Sequence, residues 1–296
     1  MRTRVIGCTV AIALAAAACG ASKASALEVV RGAASKTAAA RTARIALTVE
    51  LHNPGVAAGN ANVSGTGVVD YGAKRGLLDM RIANAGRPVS TVKAVYTGTV
   101  LYMRIPQLAT TLSGKSWLKL NYQQLASRAG VDIGNLGQLQ SSDPTQGLEV
   151  LRGTSTDVRA VGHETVRGTS TTRYHATVDL HLAAANATSA ASRKGIERLI
   201  KLFGRSTIPV DVWIDGAGRL RRQRETLDLS RASVPGRAQT PASITLVVEY
   251  YDFGVPVNVV EPPADQVTDL AALRQSSRQT FSSSGTVSGA VSATGR

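Results

Sequence analysis

The stretch Ile208-Pro209-Val210-Asp211-Val212-Trp213-Ile214-Asp215-Gly216-Ala217-Gly218-Arg219-Leu220-Arg221-Arg222 decides what kind of fold this chain adopts. Ile208, Val210, Val212 and Ile214 alternate with Asp211, Trp213 and Asp215, the period of two that belongs to a strand with one face dry and one face wet. Asp215-Gly216-Ala217-Gly218 has the composition of a hairpin turn. Leu220 to Leu229 is its partner strand, so the unit is antiparallel.

Moving outward, the same alternation recurs on both sides. Upstream it appears in Ile45, Leu47, Val49 and Leu51, in Val63 to Tyr71, in Leu78, Met80 and Ile82, and in Val92, Ala94 and Tyr96. Leu101, Met103 and Ile105 continue it, then Trp117-Leu118-Lys119-Leu120 and two strands near 158–166 and 173–182. Downstream, Ile244, Leu246, Val248 and Tyr250 form one more strand before Pro262-Pro263 stops the run. Helical spacing is confined to 27–40, 122–129, 145–151 and 182–203. Residues 130–143 read as loop. The predicted class is α+β: a curved antiparallel half-barrel of about ten strands, with helices lining or plugging its concave face.

The N-terminus carries a second signal. Arg2 and Arg4 precede an apolar run from Val5 to Ala18, which ends in Ala16-Ala17-Ala18-Cys19-Gly20. A basic head, a short apolar core and small residues at a cut describe a secretory signal peptide, and the run is shorter than the roughly 20 residues a bilayer span needs. Small residues directly before a Cys resemble the bacterial lipobox, in which the Cys becomes the acylated N-terminus. The chain has two Cys, and cleavage before Cys19 discards Cys8, so no internal disulfide is expected. The predicted organisation is a signal peptide over 1–18, a tether over 19–26, one domain over 27–270 and a Ser/Gly-rich disordered tail over 271–296. The expected place is the extracytoplasmic face of the cell membrane, with Cys19 as the lipid attachment.

The formal net charge is +14. Export argues against nucleic acid as the partner and points to an anionic membrane surface; a basic, Ala-rich genome explains the same charge equally well. Hydrophobic residues make up 43% of the chain but aromatic ones only 4%, so an aliphatic core of Val, Leu, Ile and Ala is expected.

The 208–222 stretch, the segment Tyr250-Tyr251-Asp252-Phe253-Gly254-Val255-Pro256-Val257 and the exit at Pro262-Pro263 resemble the mycobacterial LppX/LprG lipoprotein family. The order of tether Cys, helix, strands, helical insertion, strand pair, helix and closing hairpin is similar too. That family looks like the LolA/LolB carriers, which implies a half-barrel with a helical lid and a hydrophobic cavity for acylated lipids. The segment 130–143 and the tail 271–296 depart from the pattern. The implied ligand is an acylated lipid or lipoglycan, carried or presented in the envelope. On the strand faces, its cavity wall is expected at Leu47, Val49, Leu78, Met80, Leu101, Met103, Val210, Val212, Leu246 and Val248. Two rival readings keep the same fold. One is an envelope sensor that binds a membrane transporter or signalling partner, and the other is an interaction module with a closed core.

No catalytic signature is present: there is no Gly-x-Ser-x-Gly, no His-Glu-x-x-His and no P-loop. No cofactor, metal or enzymatic role is expected. His175, Asp179 and His181 are placed on one strand face, too few for a metal site without a further ligand. Arg219, Arg221, Arg222 and Arg224 are the one strong local charge. They read first as the wet face of a hairpin and second as contacts for lipid phosphates.

Overall fold

The computed structural model describes residues 25–53, 60–84, 88–110, 112, 114–121, 148, 150–230 and 242–270. Cys19, the signal segment 1–18, the expected helix at 122–129, the loop 130–143 and the tail 271–296 lie outside the described residues, as does most of the tether.

Helix α1 (Ala26–Ala39) opens with a reciprocal cap: Glu28 N–H donates to the Ser25 hydroxyl at 3.3 Å, and Ser25 N–H donates to Glu28 Oε2 at 2.8 Å. Val30, Ala33, Ala34 and Thr37 form its buried face. The Thr37 hydroxyl donates to the Ala33 carbonyl at 2.7 Å and accepts from Leu220 N–H at 2.9 Å, tying the helix to a strand. The strands are β1 (Thr42–His52), β2 (Ala61–Asp70), β3 (Arg75–Asn84), β4 (Ser90–Thr97), β5 (Val100–Arg104) and β6 (Trp117–Asn121). They are followed by β7 (Arg159–Val166), β8 (Thr169–Asp179), β9 (Thr207–Asp215), β10 (Leu220–Asp228), β11 (Ser243–Tyr251) and β12 (Val267–Asp269).

All twelve belong to one sheet, in the order β12-β6-β5-β4-β3-β2-β1-β11-β10-β9-β8-β7. The order contains two antiparallel meanders, β1 to β6 and β7 to β11. They fuse where β1 pairs with β11, from Arg44 opposite Tyr251 to His52 opposite Ser243. The sheet is large, open and curved, as expected of a twisted sheet that exceeds about ten strands. The strand without a sequence signal is β12, three residues that pair in parallel with β6 after 255–266 has crossed the sheet.

Two corrections concern the second meander. Strand β8 ends at Asp179 rather than continuing to Leu182, because the Asp179 carboxylate accepts from His181 N–H at 2.7 Å and Leu182 N–H at 3.3 Å and so caps a helix. The predicted 182–203 helix is two: α2 (Leu180–Ala185) and α3 (Ala190–Phe203). Ser189 caps α3 by accepting from Ser192 N–H at 3.1 Å, and Gly204 closes it at φ 61°. From the expected 145–151 helix, Leu148 and Val150 are helical and lead into a 3-10 turn at Leu151–Gly153.

The main core joins these helices to the sheet. Val30, Ala33, Leu151, Leu180, Ala183 and Ile196 pack on Ala43, Val69, Ala176, Val178, Ile208, Val210, Val212 and Ile214. A smaller cluster lies on the opposite face, where Val257, Val259 and Val267 of the C-terminal segment cover Leu77, Val95, Val100, Tyr102 and Trp117.

Candidate functional site: a half-covered apolar sheet face

Because side chains alternate along a strand, cross-strand register shows which of them share a face. Leu47 stands opposite Gly65 on β2 and Val248 on β11; Gly65 stands opposite Met80, and Met80 opposite Val92. One step along, Val49 faces Val63 and Leu246, Leu246 faces Glu225, and Glu225 faces Val210. On the other side, Leu78 faces Ala94, Ala94 faces Met103, and Met103 faces Leu118. Tyr96 faces Leu101 in the next row. All ten sequence-predicted wall residues therefore lie on the same face of one continuous sheet.

They are not equally covered. Val210 and Val212 are enclosed in the helix-covered core, Val248 packs at its border, and Leu101 is also buried. Leu47, Val49, Leu78, Met80, Met103 and Leu246 are half-buried and belong to neither core cluster. The helices thus shield the β8–β10 end of this face, while the β1–β3 part keeps accessible aliphatic surface.

Gly65 and Gly67 do not hollow the face out. A Cβ on Gly65 would lie 2.7 Å from the Asp79 carbonyl oxygen and 2.9 Å from Met80 Cγ, and one on Gly67 would lie 2.1 Å from the Leu77 carbonyl oxygen. Their role is close approach of β2 to β3.

The same face carries polar groups that strand alternation did not reveal. A bulge in β10 between Leu220 and Arg222 resets the parity, so that Gln223 and Glu225 point inward. The Gln223 amide donates to the Glu225 carboxyl, and burial pushes the Glu225 pKa up despite that bond. Burial also raises the Tyr250 and Tyr71 hydroxyls, Tyr250 further through Glu225 and Tyr71 through Tyr250. The Tyr71 hydroxyl is buried with no hydrogen-bond partner among the described residues. The only sequence trace of this cluster is a Gln and a Glu two residues apart inside a strand.

Three of the four arginines of the hairpin are paired, and Arg224 is exposed. Arg219 and Arg221 donate to the Asp215 carboxylate at 3.2 and 2.8 Å, and both guanidiniums lie over the Phe253 ring. Burial works to raise the Asp215 pKa, but the Arg219 N–H and the two guanidiniums outweigh it and hold the group below its ordinary value. Arg222 bonds Glu249 at 2.7 Å and lies over Trp213. His175 bonds Asp211 at 2.9 Å, and His181 sits in α2, not on the strand with His175. Among the described residues no three His, Cys, Asp or Glu side chains are grouped to hold a metal. No described helix is long and apolar enough to cross a membrane.

No protein-family profile matches the chain. An uncharacterised 31.2 kDa protein of Streptomyces griseus, encoded between rplA and rplJ, is 29% identical over 259 residues, which cover 84% of this chain and 80% of that protein. A protein of Streptomyces coelicolor, described as a candidate lipoprotein, is 26% identical over 186 residues; they cover 62% of this chain but only 53% of that protein. Among solved structures, Mycobacterium tuberculosis lipoprotein LppX aligns with a TM-score of 0.44 at 18% identity, over 79% of this chain and 98% of LppX. LprF from Mycobacterium bovis aligns at 0.42 and 12% identity, over 81% and 97%. A LolA superfamily protein of Nitrosomonas europaea aligns at 0.29 and 10%, over 83% and 98%. Solved structures similar to this chain thus include the mycobacterial lipoproteins LppX and LprF and a LolA superfamily protein.

Proposed function

We propose that this chain is an exported, membrane-anchored lipoprotein that binds an acylated lipid or lipoglycan on the apolar face of its sheet and carries or presents it in the cell envelope. The observation that carries this reading is the half-buried aliphatic surface of Leu47, Val49, Leu78, Met80, Met103 and Leu246, continuous with a helix-covered core yet outside it. An alkyl chain laid on it gains about 0.8 kcal/mol per buried CH₂, so ten methylenes contribute roughly 8 kcal/mol before ordering costs. Leu101, Val210, Val212 and Val248 support that surface from deeper positions. Binding of this kind needs no catalytic group. Acylation at Cys19 places the domain at the membrane where its cargo lies, in keeping with the lipoprotein description of the Streptomyces coelicolor relative.

The test is native mass spectrometry of protein made in a Streptomyces host. The expected result is a stoichiometric lipid, lost in Met80→Arg and Leu47→Arg proteins whose circular dichroism is unchanged. A lipid-free wild-type protein that also fails to take up added acyl lipid overturns the reading.

A further inference from the structure

The opposite face of β1–β5 carries a feature that burial of an acyl chain does not use. Register places two neighbouring cross-strand rows there. The first runs Thr48, Ser64, Arg81, Thr91, and the second runs Ala46, Thr66, Asp79, Lys93, Arg104. Between the rows the main chain of Leu47, Gly65, Met80 and Val92 forms the floor of an open depression of about 810 Å³. Its β1–β2 side is lined by the alcohols of Thr48, Ser64 and Thr66, and its β3–β5 side by Arg81, Lys93 and Arg104 with Asp79 among them.

The charges are arranged at a cost to the fold. Lys93 stands directly opposite Arg104, and like charges in that position destabilise a sheet. Asp79 is the one acid among the described residues of the depression and reaches Lys93 at 3.6 Å across an exposed contact. Arg81 and Arg104 have no ion-pair or hydrogen-bond partner among the described residues. This contrasts with Arg219, Arg221 and Arg222 of the hairpin, each engaged by a carboxylate. Two unengaged guanidiniums and an ammonium beside a wall of hydroxyls are complementary to a group that is both anionic and rich in hydroxyls. Guanidinium forks match phosphate oxygens, and Ser and Thr hydroxyls both donate to and accept from polyol oxygens.

We propose that this depression binds a phosphate-bearing polyol: the phosphate at Arg81, Lys93 and Arg104, the hydroxyls over Ser64 and Thr66. The site lies on the face away from the aliphatic surface, so it takes headgroup chemistry and not alkyl chain. It stands or falls independently of lipid burial. The source of the group is either a glycerophosphate headgroup of the membrane or a free sugar or glycerol phosphate.

The experiment uses the mature chain from residue 19 with Cys19→Ala, so that neither the apolar leader nor an acyl anchor contributes. Calorimetric titrations with glycerol 1-phosphate, inorganic phosphate and glycerol are paired with co-sedimentation on phosphatidylglycerol and phosphatidylcholine vesicles. Glycerol 1-phosphate is expected to bind and glycerol alone not to. The Arg81→Gln/Arg104→Gln protein is expected to lose at least about tenfold in affinity, with a shallower salt dependence. Ser64→Ala/Thr66→Val is expected to weaken glycerol 1-phosphate more than inorganic phosphate. Sedimentation with phosphatidylglycerol alone, abolished by the double Gln change, assigns the headgroup source, while binding of the soluble phosphate without sedimentation assigns the free one. These exposed substitutions do not lower the thermal midpoint, and Arg104→Gln raises it slightly by relieving Lys93, which separates lost binding from lost fold. Failure of the wild-type protein to bind either source, or equal binding by the double Gln protein, overturns the proposal.

Discussion

The Tyr102 hydroxyl donates to Glu261 Oε2 at 2.8 Å and so fastens the C-terminal segment to β5, near the β12 edge of the sheet. Tyr102, Val95 and Val259 form a small core of their own, and six residues past Glu261 the chain begins to pair with β6 as β12. Burial, then the bond to Glu261, pushes the Tyr102 pKa up to about 12. The folded state therefore holds this proton more tightly than the unfolded chain. The stabilisation is complete below about pH 10 and fades as pH rises toward 12. Tyr102→Phe is expected to cost about 1 kcal/mol in denaturant unfolding and to speed amide exchange at Val267–Asp269. Unchanged exchange there would show that the bond does not hold β12 in place.

Glu225 supplies a pH dependence of the same sign, again chiefly through burial. Its carboxyl is buried between Leu246 and Val210, and desolvation raises its pKa above the ordinary carboxylate value. The folded protein favours the neutral acid, so stability falls as pH climbs past about 4.5, by about 1.4 kcal/mol for each unit the pKa is raised. Glu225→Gln keeps the shape and removes the titration. It is expected to match the wild type near pH 4 and to exceed it at pH 7, measured by chemical denaturation across that range. Parallel pH profiles for the two proteins would contradict this account.

Much of the sheet was legible because a half-buried strand writes its period of two into the sequence. Ile45 to Leu51 and Ile208 to Ile214 alternate cleanly, and register places them on one face. What could not be read depends on contacts distant in sequence. Strand β12 is three residues long and exists through pairing with β6 and through Lys115, whose ammonium reaches the Val267 carbonyl at 3.1 Å. The inward turn of Gln223 and Glu225 follows from a bulge after Leu220, which no local pattern announces. The break between α2 and α3 is written in Ser189, but polar residues there are equally compatible with an exposed helix face. The wall residues were identifiable as one face; how far the helices cover that face was not, since coverage is a property of tertiary packing.

Gly67 is the most constrained position in the first meander. A methyl group there would sit 2.1 Å from the Leu77 carbonyl oxygen, inside the backbone of the neighbouring strand, where no side-chain rotation relieves it. Gly67→Ala is therefore expected to separate β2 from β3 and to cost more than about 2 kcal/mol by thermal or denaturant unfolding. Gly162→Ala on β7, with open space around the position, serves as the control and stays within about 0.5 kcal/mol of the wild type. Equal losses at the two sites would remove close approach as the explanation.

Trp213 lies between the guanidiniums of Arg173 and Arg222, 5.1 and 5.2 Å from its ring centre, and donates to Glu164 Oε2 at 2.7 Å. Trp213→Phe retains a ring but loses the hydrogen bond and weakens both cation–π contacts. The expected cost is about 1–2 kcal/mol in denaturant unfolding. Arg173→Met should remove less stability from the Phe variant than from the wild type, because the two residues share one interaction. Additive losses would show that they act separately.

Cys19 connects the proposed anchor to both faces of the sheet. Its only companion in the sequence is Cys8, which lies within the proposed signal peptide, so replacing Cys19 removes no structural bond. Cys19→Ala protein exported behind an ordinary cleavable leader in place of residues 1–18 is expected to leave the membrane fraction with an unchanged unfolding midpoint. The basic depression of β1–β5 adds a condition: at low ionic strength its cations retain part of the unacylated protein on anionic membranes, and a wash at about 1 M salt, where the Debye length falls to about 3 Å, releases it. Acylation, by contrast, resists salt and yields to detergent. A Cys19→Ala protein that stays membrane-bound through the salt wash would rule out Cys19 as the main attachment.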